Sequence, residues 1–444
     1  MSEPPQPSDP RSTPPAHSGA RNGSFRCYAW IFLIALLVRA AWGTVRLATA
    51  SDPTGLEFPD EQQYWTIASS LASGSGLIDE LGFRATRMPL YPALLALFTR
   101  LPWGVIAAKG MHWLLGATIP VLTAWLARRL LDRKTACLAG LLAALDPFFV
   151  FISSLLLTET LFLAALLLLW CVSGTVGMGR TSTISRRRWF EIGLAAALVV
   201  HAREAGLVFA GALLLAIWCA RRFELKTFGG LALVAAIVAG SLLPWAYRNH
   251  TVIGEWRFLT TRAGVSLYDG VRPGADGSSN LGDVQQSQAV RDLTEVQWNR
   301  HFTEASVVCI RDEPGRILSL ALTKLARTWN PLPNVGTYQS ELVRWVSAMW
   351  TLPILVFAGV GSIILTKRYQ DGADWRAVAL LLLPALVVCV LHAVFVGSVR
   401  YRLPAMPMIE ILAAVGMIQG IGRITRRMRT DRNEPLTADR DRGE

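Results

Sequence analysis

The sequence predicts an all-α polytopic membrane protein with two large loops on one face. Three observations carry that expectation. Hydrophobic residues make up 52% of the 444 and charged residues only 17%, where a soluble domain carries about 25% charge. Apolar runs close to the ~20 residues that cross a bilayer recur along the chain. Basic residues gather in every second connection between those runs, as topogenic signals do.

Residues 1–24 are rich in Pro, Ser and other polar residues and are expected to be disordered. The run at 25–47 imitates a signal peptide, but it is long enough to span and introduces a polytopic chain, so it reads as the first span. About ten spans follow from the apolar pattern: 27–47, 104–127, 135–152, 158–178, 189–201, 205–220, 227–246, 343–365, 375–396 and 404–422. The fifth and sixth are short and joined by HAREAG, 201–206. ARRLLDRK (127–134), RTSTISRRR (180–188), ARRFELK (220–226), TKRYQDGADWR (366–376) and GRITRRMRTDR (422–432) fall on one side with both termini, the expected cytoplasmic side. The net charge of +12 is then mostly topological, and nucleic acid is not needed to explain it.

The chain therefore divides into spans one to seven over 25–246, which include an external loop at 48–103, an external helical loop at 247–342, spans eight to ten over 343–422, and a basic tail at 423–444. Within the second loop, 283–314 reads as helical. PGRILSLALTKLARTW (314–329) opens on a helix-starting Pro314 and places Ile317, Leu318, Leu322, Leu325 and Trp329 on one face, expected to lie along the membrane surface. Of six cysteines only Cys309 falls in a soluble loop, so no disulfide framework is read there. With no CxxC and no HExxH, metal ligation by cysteine is not expected.

The informative charges break the positive-inside pattern. Arg84, Arg87, Arg203, Arg248, Arg400 and Arg402 stand at the external membrane level, with the acids Asp60, Glu61, Glu159 and Glu204. Ionisable groups there cost several kcal/mol unless paired or hydrated. Guanidinium forks match phosphate oxygens, so the convergence points to an anionic ligand held outside. Each residue also has a structural reading. Arg203 and Glu204 form an interfacial ion pair; Arg248, Arg400 and Arg402 reach headgroups; Glu159 favours a helix N-terminus; Asp60 and Glu61 are first-turn acids after Pro59. In RMPLYP (87–92) the two prolines present Arg87 on a stiff element, with Tyr91 and Trp103 as aromatic-belt residues.

In chain order, PDEQQYWTIASSLASGSG (59–76), RMPLYPALLALF (87–98), LDPFFVFISSLLLTETLF (145–162), HAREAGLVF (201–209), PWAYRNHTVIG (244–254) and VRYRLPAMP (399–407) resemble the polyprenyl-phosphate-sugar-dependent glycosyltransferases of the GT-C class. That group includes protein O-mannosyltransferases and the enzymes that add aminoarabinose to lipid A. The resemblance implies a GT-C-like helix bundle, a polyprenyl-phosphate sugar donor and inversion at the anomeric carbon. It implies Asp60 as catalytic base with Glu61 completing the pair, and Arg87, Arg203, Arg248, Arg400 and Arg402 holding the lipid phosphate. Tyr64 and Trp65 are candidates to stack on the sugar, their structural alternative being interface packing. Arginines alone can carry a phosphate leaving group, so no cofactor is required; Glu61 and Glu159 are the candidates for a divalent metal. The acceptor stays open among protein, lipid and glycan, and the expected location is a bacterial inner membrane with the site outside. A flippase of lipid-linked sugars is disfavoured, because the polar residues cluster at one face and no repeat is present. A non-catalytic assembly protein remains the other alternative.

Overall fold

The computed structural model describes residues 18–50, 55–174, 184–280, 282, 293–334, 340–370, 376–420 and 422. Its regular secondary structure is all helical among those residues. Ten helices correspond in order to the ten predicted spans: α1 (Ser18–Thr49), α4 (Gly104–Leu130), α5 (Arg133–Leu145), α7 (Thr158–Ser173), α8 (Arg186–Ala202), α9 (Gly206–Ala220), α10 (Leu225–Ile253), α14 (Glu341–Gln370), α15 (Arg376–Val394) and α16 (Met406–Val415). Among the described residues, five are long and apolar enough to cross a bilayer: α1 from Arg26, α4, α10, α14 to Lys367, and α15. The shorter α7 and α16 are buried almost along their whole length. They are apolar all round because other helices, not lipid, surround them.

The third predicted span, 135–152, is not one helix. It breaks into α5 and α6 (Pro147–Ile152). The residue before a proline is pushed out of helical geometry, and Asp146 uses that bend to cap α6, accepting from the backbone N–H of Phe148 at 2.7 Å and Phe149 at 3.1 Å. The α6–α7 connection that follows is thereby held at the end of the bundle where α2 begins. The first expected helix also starts earlier than its span, at Ser18; residues 1–17 of the expected disordered N-terminus and 423–444 of the basic tail lie outside the described residues.

The external loops are largely helical. The first carries α2 (Pro59–Ala72) and α3 (Leu90–Ala96); the second carries α11 (Ala263–Val271), α12 (Glu295–Asp312) and α13 (Pro314–Thr328). Residues 283–292 of the expected helical stretch are outside the described residues, but α12 begins at a capping box in which the Thr294 N–H donates to Gln297 and the Gln297 N–H donates back to Thr294. Val265, Trp298 and Phe302 form a small external core between α11 and α12. α13 turns toward the protein a different face from the apolar one expected along the membrane surface. Leu320, Lys324 and Thr328 are buried, while Leu318 and Leu322 face outward. The reason is a polar anchor: the Lys324 ammonium donates to the Val394 carbonyl at the end of α15, at 2.8 Å. Cysteine spacing did not foresee the pairing of Cys27 on α1 with Cys137 on α5, whose Cα atoms are 6.8 Å apart.

Candidate active site

Glu61 sets the site up without facing it. As the third residue of α2 it turns its carboxylate back to accept from the backbone N–H of Glu57 at 3.0 Å and Phe58 at 3.1 Å. Its other oxygen accepts from Leu156 N–H at 2.7 Å, in the α6–α7 connection. The start of α2 is thus fastened to the start of α7. Asp60, one position earlier, lines a cavity of about 2140 Å³ at the end of the bundle that carries the two long loops.

Of the arginines that line this cavity, four from separate connections gather around Asp60 and Glu159. Asp60 accepts from Arg87 at 2.7 Å on one oxygen and from Arg400 at 2.9 Å on the other. Arg400 sits on a 3-10 turn, Val399–Arg402, and also donates to Glu159 at 2.5 Å; Arg203, where α8 ends, meets the same Glu159 oxygen at 2.9 Å. Gln63, one turn after Asp60, accepts from Arg87 at 2.9 and 2.6 Å and from Arg262 at 3.0 Å. The Arg87 guanidinium lies 4.6 Å from the centre of the Tyr64 ring, close enough for cation–π attraction. Away from this cluster the cavity wall is largely apolar, with Val38, Trp42 and Val45 of α1, Phe148 and Phe151 of α6, and Val346 of α14, and further charges on it include Arg46, Glu57, Asp269, Asp276 and Arg327.

The electrostatics follow from this pairing. Burial alone would raise the Asp60 carboxyl, but Arg87, Arg400 and Arg262 outweigh it and hold it well below the usual carboxylate range. Burial lowers Arg262, and Arg87 beside it lowers it further, so this guanidinium is poorly compensated. Among the described residues Arg262 has no carboxylate within ion-pair distance; it donates instead to the neutral Gln63 amide oxygen.

The structure gathers Asp60, Tyr64, Arg87, Glu159, Arg203 and Arg400 at one cavity. Others it sends elsewhere. Arg402 is 1% exposed, donating to the Asn330 carbonyl at 2.6 Å and to Thr351 at 3.1 Å, and it braces α14 rather than the cavity. Arg248 lies in the last turns of α10 outside the cavity, where it donates to the Arg84 carbonyl at 2.5 Å. Arg203 pairs with Glu159 and not with its neighbour Glu204. Trp65 touches the small core around Tyr91 and Leu95. Sequence reasoning missed Arg262, Gln63 and Glu80, all of which line the cavity. Nothing local marks Arg262, which comes from the second external loop.

The two candidate metal ligands do not fit a cation. The Glu61 carboxylate is filled by three backbone donors, and one Glu159 oxygen already serves two guanidinia. A divalent ion there would meet more fixed positive charge than free carboxylate, so no step is routed through a metal.

Sequence comparison matches the chain to no protein-family model and to no curated protein. Solved structures do match it. The archaeal oligosaccharyltransferase AglB from Archaeoglobus fulgidus, in complex with an inhibitory peptide and a dolichol-phosphate, superposes with a TM-score of 0.56 at 13% identity, over 94% of this chain and 52% of that one. The same enzyme tethered to an acceptor peptide containing the NVT sequon gives 0.53 at 13% identity, over 90% and 50%. ArnT from Cupriavidus metallidurans bound to undecaprenyl phosphate aligns at 14% identity over 92% and 79%, with a TM-score of 0.35. The chain spans about half the length of the oligosaccharyltransferase. Over nearly all of its own length, the chain shares the fold of the matching part of that enzyme.

Proposed function

We propose that the chain is an integral membrane glycosyltransferase that moves a sugar from a polyprenyl-phosphate carrier to an acceptor at this cavity, on the extracytoplasmic face of a bacterial inner membrane. One observation carries the reading. Four guanidiniums, Arg87, Arg203, Arg262 and Arg400, gather around Asp60 and Glu159, and one of them, Arg262, is held among the described residues only by the neutral Gln63 amide, beside a largely apolar wall. A lipid phosphate needs both halves of such a place: fixed cations for its head and apolar surface for its chain. The dolichol-phosphate in the matching oligosaccharyltransferase structure supports the same ligand class here.

The chemistry is a substitution at the anomeric carbon. The acceptor oxygen attacks, the bond from that carbon to the phosphate oxygen breaks, and polyprenyl phosphate leaves with the electron pair, inverting the configuration. Guanidiniums already in position stabilise the charge that grows on the leaving oxygen. Asp60 remains anionic next to the reacting carbon, where positive charge develops. The acceptor, whether protein, lipid or glycan, is chosen by the second external loop.

The test is binding of undecaprenyl phosphate to the full chain in lipid nanodiscs. Arg262→Gln should weaken it roughly tenfold or more, since a charged hydrogen bond contributes about 1.5–3 kcal/mol. Arg248→Gln, outside the cavity, should leave it unchanged. Equal affinity for wild type and Arg262→Gln, or loss in Arg248→Gln alone, would sink the reading.

A further inference from the structure

An acceptor hydroxyl must lose a proton, and Asp60 is badly placed to receive it. Each of its oxygens is held by a guanidinium, at 2.7 and 2.9 Å. Such a carboxylate stays ionised and has little affinity for a proton. A second carboxylate lines the same cavity without such clamps.

That group is Glu80. It stands on a turn built by its neighbour. The Asp79 carboxylate accepts from Leu81 N–H at 3.0 Å, Phe83 N–H at 2.9 Å, the Thr86 hydroxyl at 3.0 Å and the Gln63 amide at 3.3 Å. The Asp79 N–H closes the turn on the Phe83 carbonyl at 3.0 Å, and Gly82, with φ +79°, supplies the left-handed residue the turn requires. Asp79 is therefore saturated and structural. Through Gln63 it is joined to the pair Arg87 and Arg262. Glu80, at the tip, is exposed and lines the cavity. No side chain among the described residues forms an ion pair or hydrogen bond with its carboxylate.

We propose that Glu80 is the proton acceptor of the transfer reaction, a role that rests on the glycosyltransferase reading above. The acceptor O–H bond breaks, its proton passes to a Glu80 oxygen, and the freed electron pair forms the bond to the anomeric carbon as polyprenyl phosphate departs. Water at the cavity mouth then takes the proton from Glu80. The charged groups facing Glu80 are Asp79 on its own turn and Arg262 and Arg87 from the adjoining connections. Partial withdrawal from solvent at the cavity mouth raises its carboxyl, a hydrogen bond from its own backbone N–H lowers it, and the Asp79 charge raises it again, against weaker lowering by Arg262 and Arg87. Asp60 is shifted the opposite way. Two carboxylates in one cavity whose proton affinities are driven apart divide the labour of an acid–base site: Asp60 stays charged and Glu80 exchanges the proton.

Two measurements on the full chain test this. In infrared titration with undecaprenyl phosphate bound, a carboxyl band that titrates above the ordinary carboxylate range should vanish in Glu80→Gln and persist in Asp60→Asn and Glu204→Gln. In proteoliposomes given undecaprenyl-phosphate mannose or arabinose as donor probes and methyl glycosides as acceptor probes, Glu80→Gln should lower kcat roughly hundredfold or more, the worth of a general base. The same variant should bind undecaprenyl phosphate as wild type does and lose the acidic limb of the pH profile. Persistence of the band in Glu80→Gln, or turnover close to wild type, overturns the assignment; a loss confined to Glu204→Gln moves it to that residue. If neither donor is turned over, the infrared band alone decides. Wild type that fails to bind undecaprenyl phosphate overturns the lipid-phosphate reading itself.

Discussion

Asp60 and Glu61 are adjacent, chemically similar, and used for opposite purposes. Consecutive residues on a helix point about 100° apart. Glu61 turns inward to three backbone donors, while Asp60 turns outward to two arginines. The Asp60 pairing has a consequence for stability. Its carboxyl titrates near 3.8 when unperturbed and lower in the fold. The folded state therefore binds fewer protons than the unfolded state around and below that pH. Its stabilising contribution is complete above about 3.8 and is lost as pH falls toward the folded value. Thermal unfolding of the detergent-solubilised protein should show a fall in Tm on acidification below that point, with a smaller fall in Asp60→Asn. Identical acid profiles for the two proteins would contradict the pairing.

At the scale of elements, two glycines let α14 and α16 cross closely. A Cβ on Gly361 would collide with the Leu412 carbonyl, and one on Gly416 with the Phe357 carbonyl. Small residues at such crossings bring backbones together, which is how helices gain contact where lipid removes the hydrophobic drive. This crossing carries the turn with Arg400, because α16 follows it directly. Gly416→Val is expected to cost about 1–3 kcal/mol through overpacking. Gly240→Ala on α10, where nothing lies within 4 Å of the added carbon, should be neutral or stabilising by up to about 1 kcal/mol. Unfolding in nanodiscs distinguishes the two; equal Tm values would show that the crossing is looser than described. The prolines Pro120, Pro244, Pro353 and Pro384 sit inside helices without breaking them. Neighbouring helices in a membrane bundle re-satisfy the freed carbonyls. Pro147 does break its helix, because Asp146 is there to cap the next one.

At the scale of the molecule, the two external loops are locked to each other through one side chain. Glu295, at the start of α12, accepts from the backbone N–H groups of Arg84 and Ala85, both at 2.7 Å, and from the Thr261 hydroxyl at 2.5 Å. Arg87 follows the first pair and Arg262 follows Thr261. The second loop thereby fixes both halves of the Arg87–Arg262 pair on Gln63. Glu295→Ala should lower turnover on the order of ten- to hundredfold by misplacing arginines it never touches, with Glu295→Asp retaining part of the activity. Unchanged turnover in Glu295→Ala would mean that the two loops act independently.

The amino-acid order by itself determined the class of the molecule. Apolar runs of spanning length, basic connections on one side and arginines on the other are properties of composition along a line, and nine of the ten runs reappear as single helices in the same order, the third breaking at Pro147. It also determined that acids and arginines meet at one end, since topology alone puts them there. Tertiary structure decided which of them meet. Arg400 faces the cavity while Arg402, two residues later on the same tight turn, is buried against α14. Arg248 is left outside, and Arg262, with no motif around it, is brought in across 199 residues to Gln63. Helix rotation and loop closure choose between neighbouring side chains, and both depend on contacts between segments far apart in the chain.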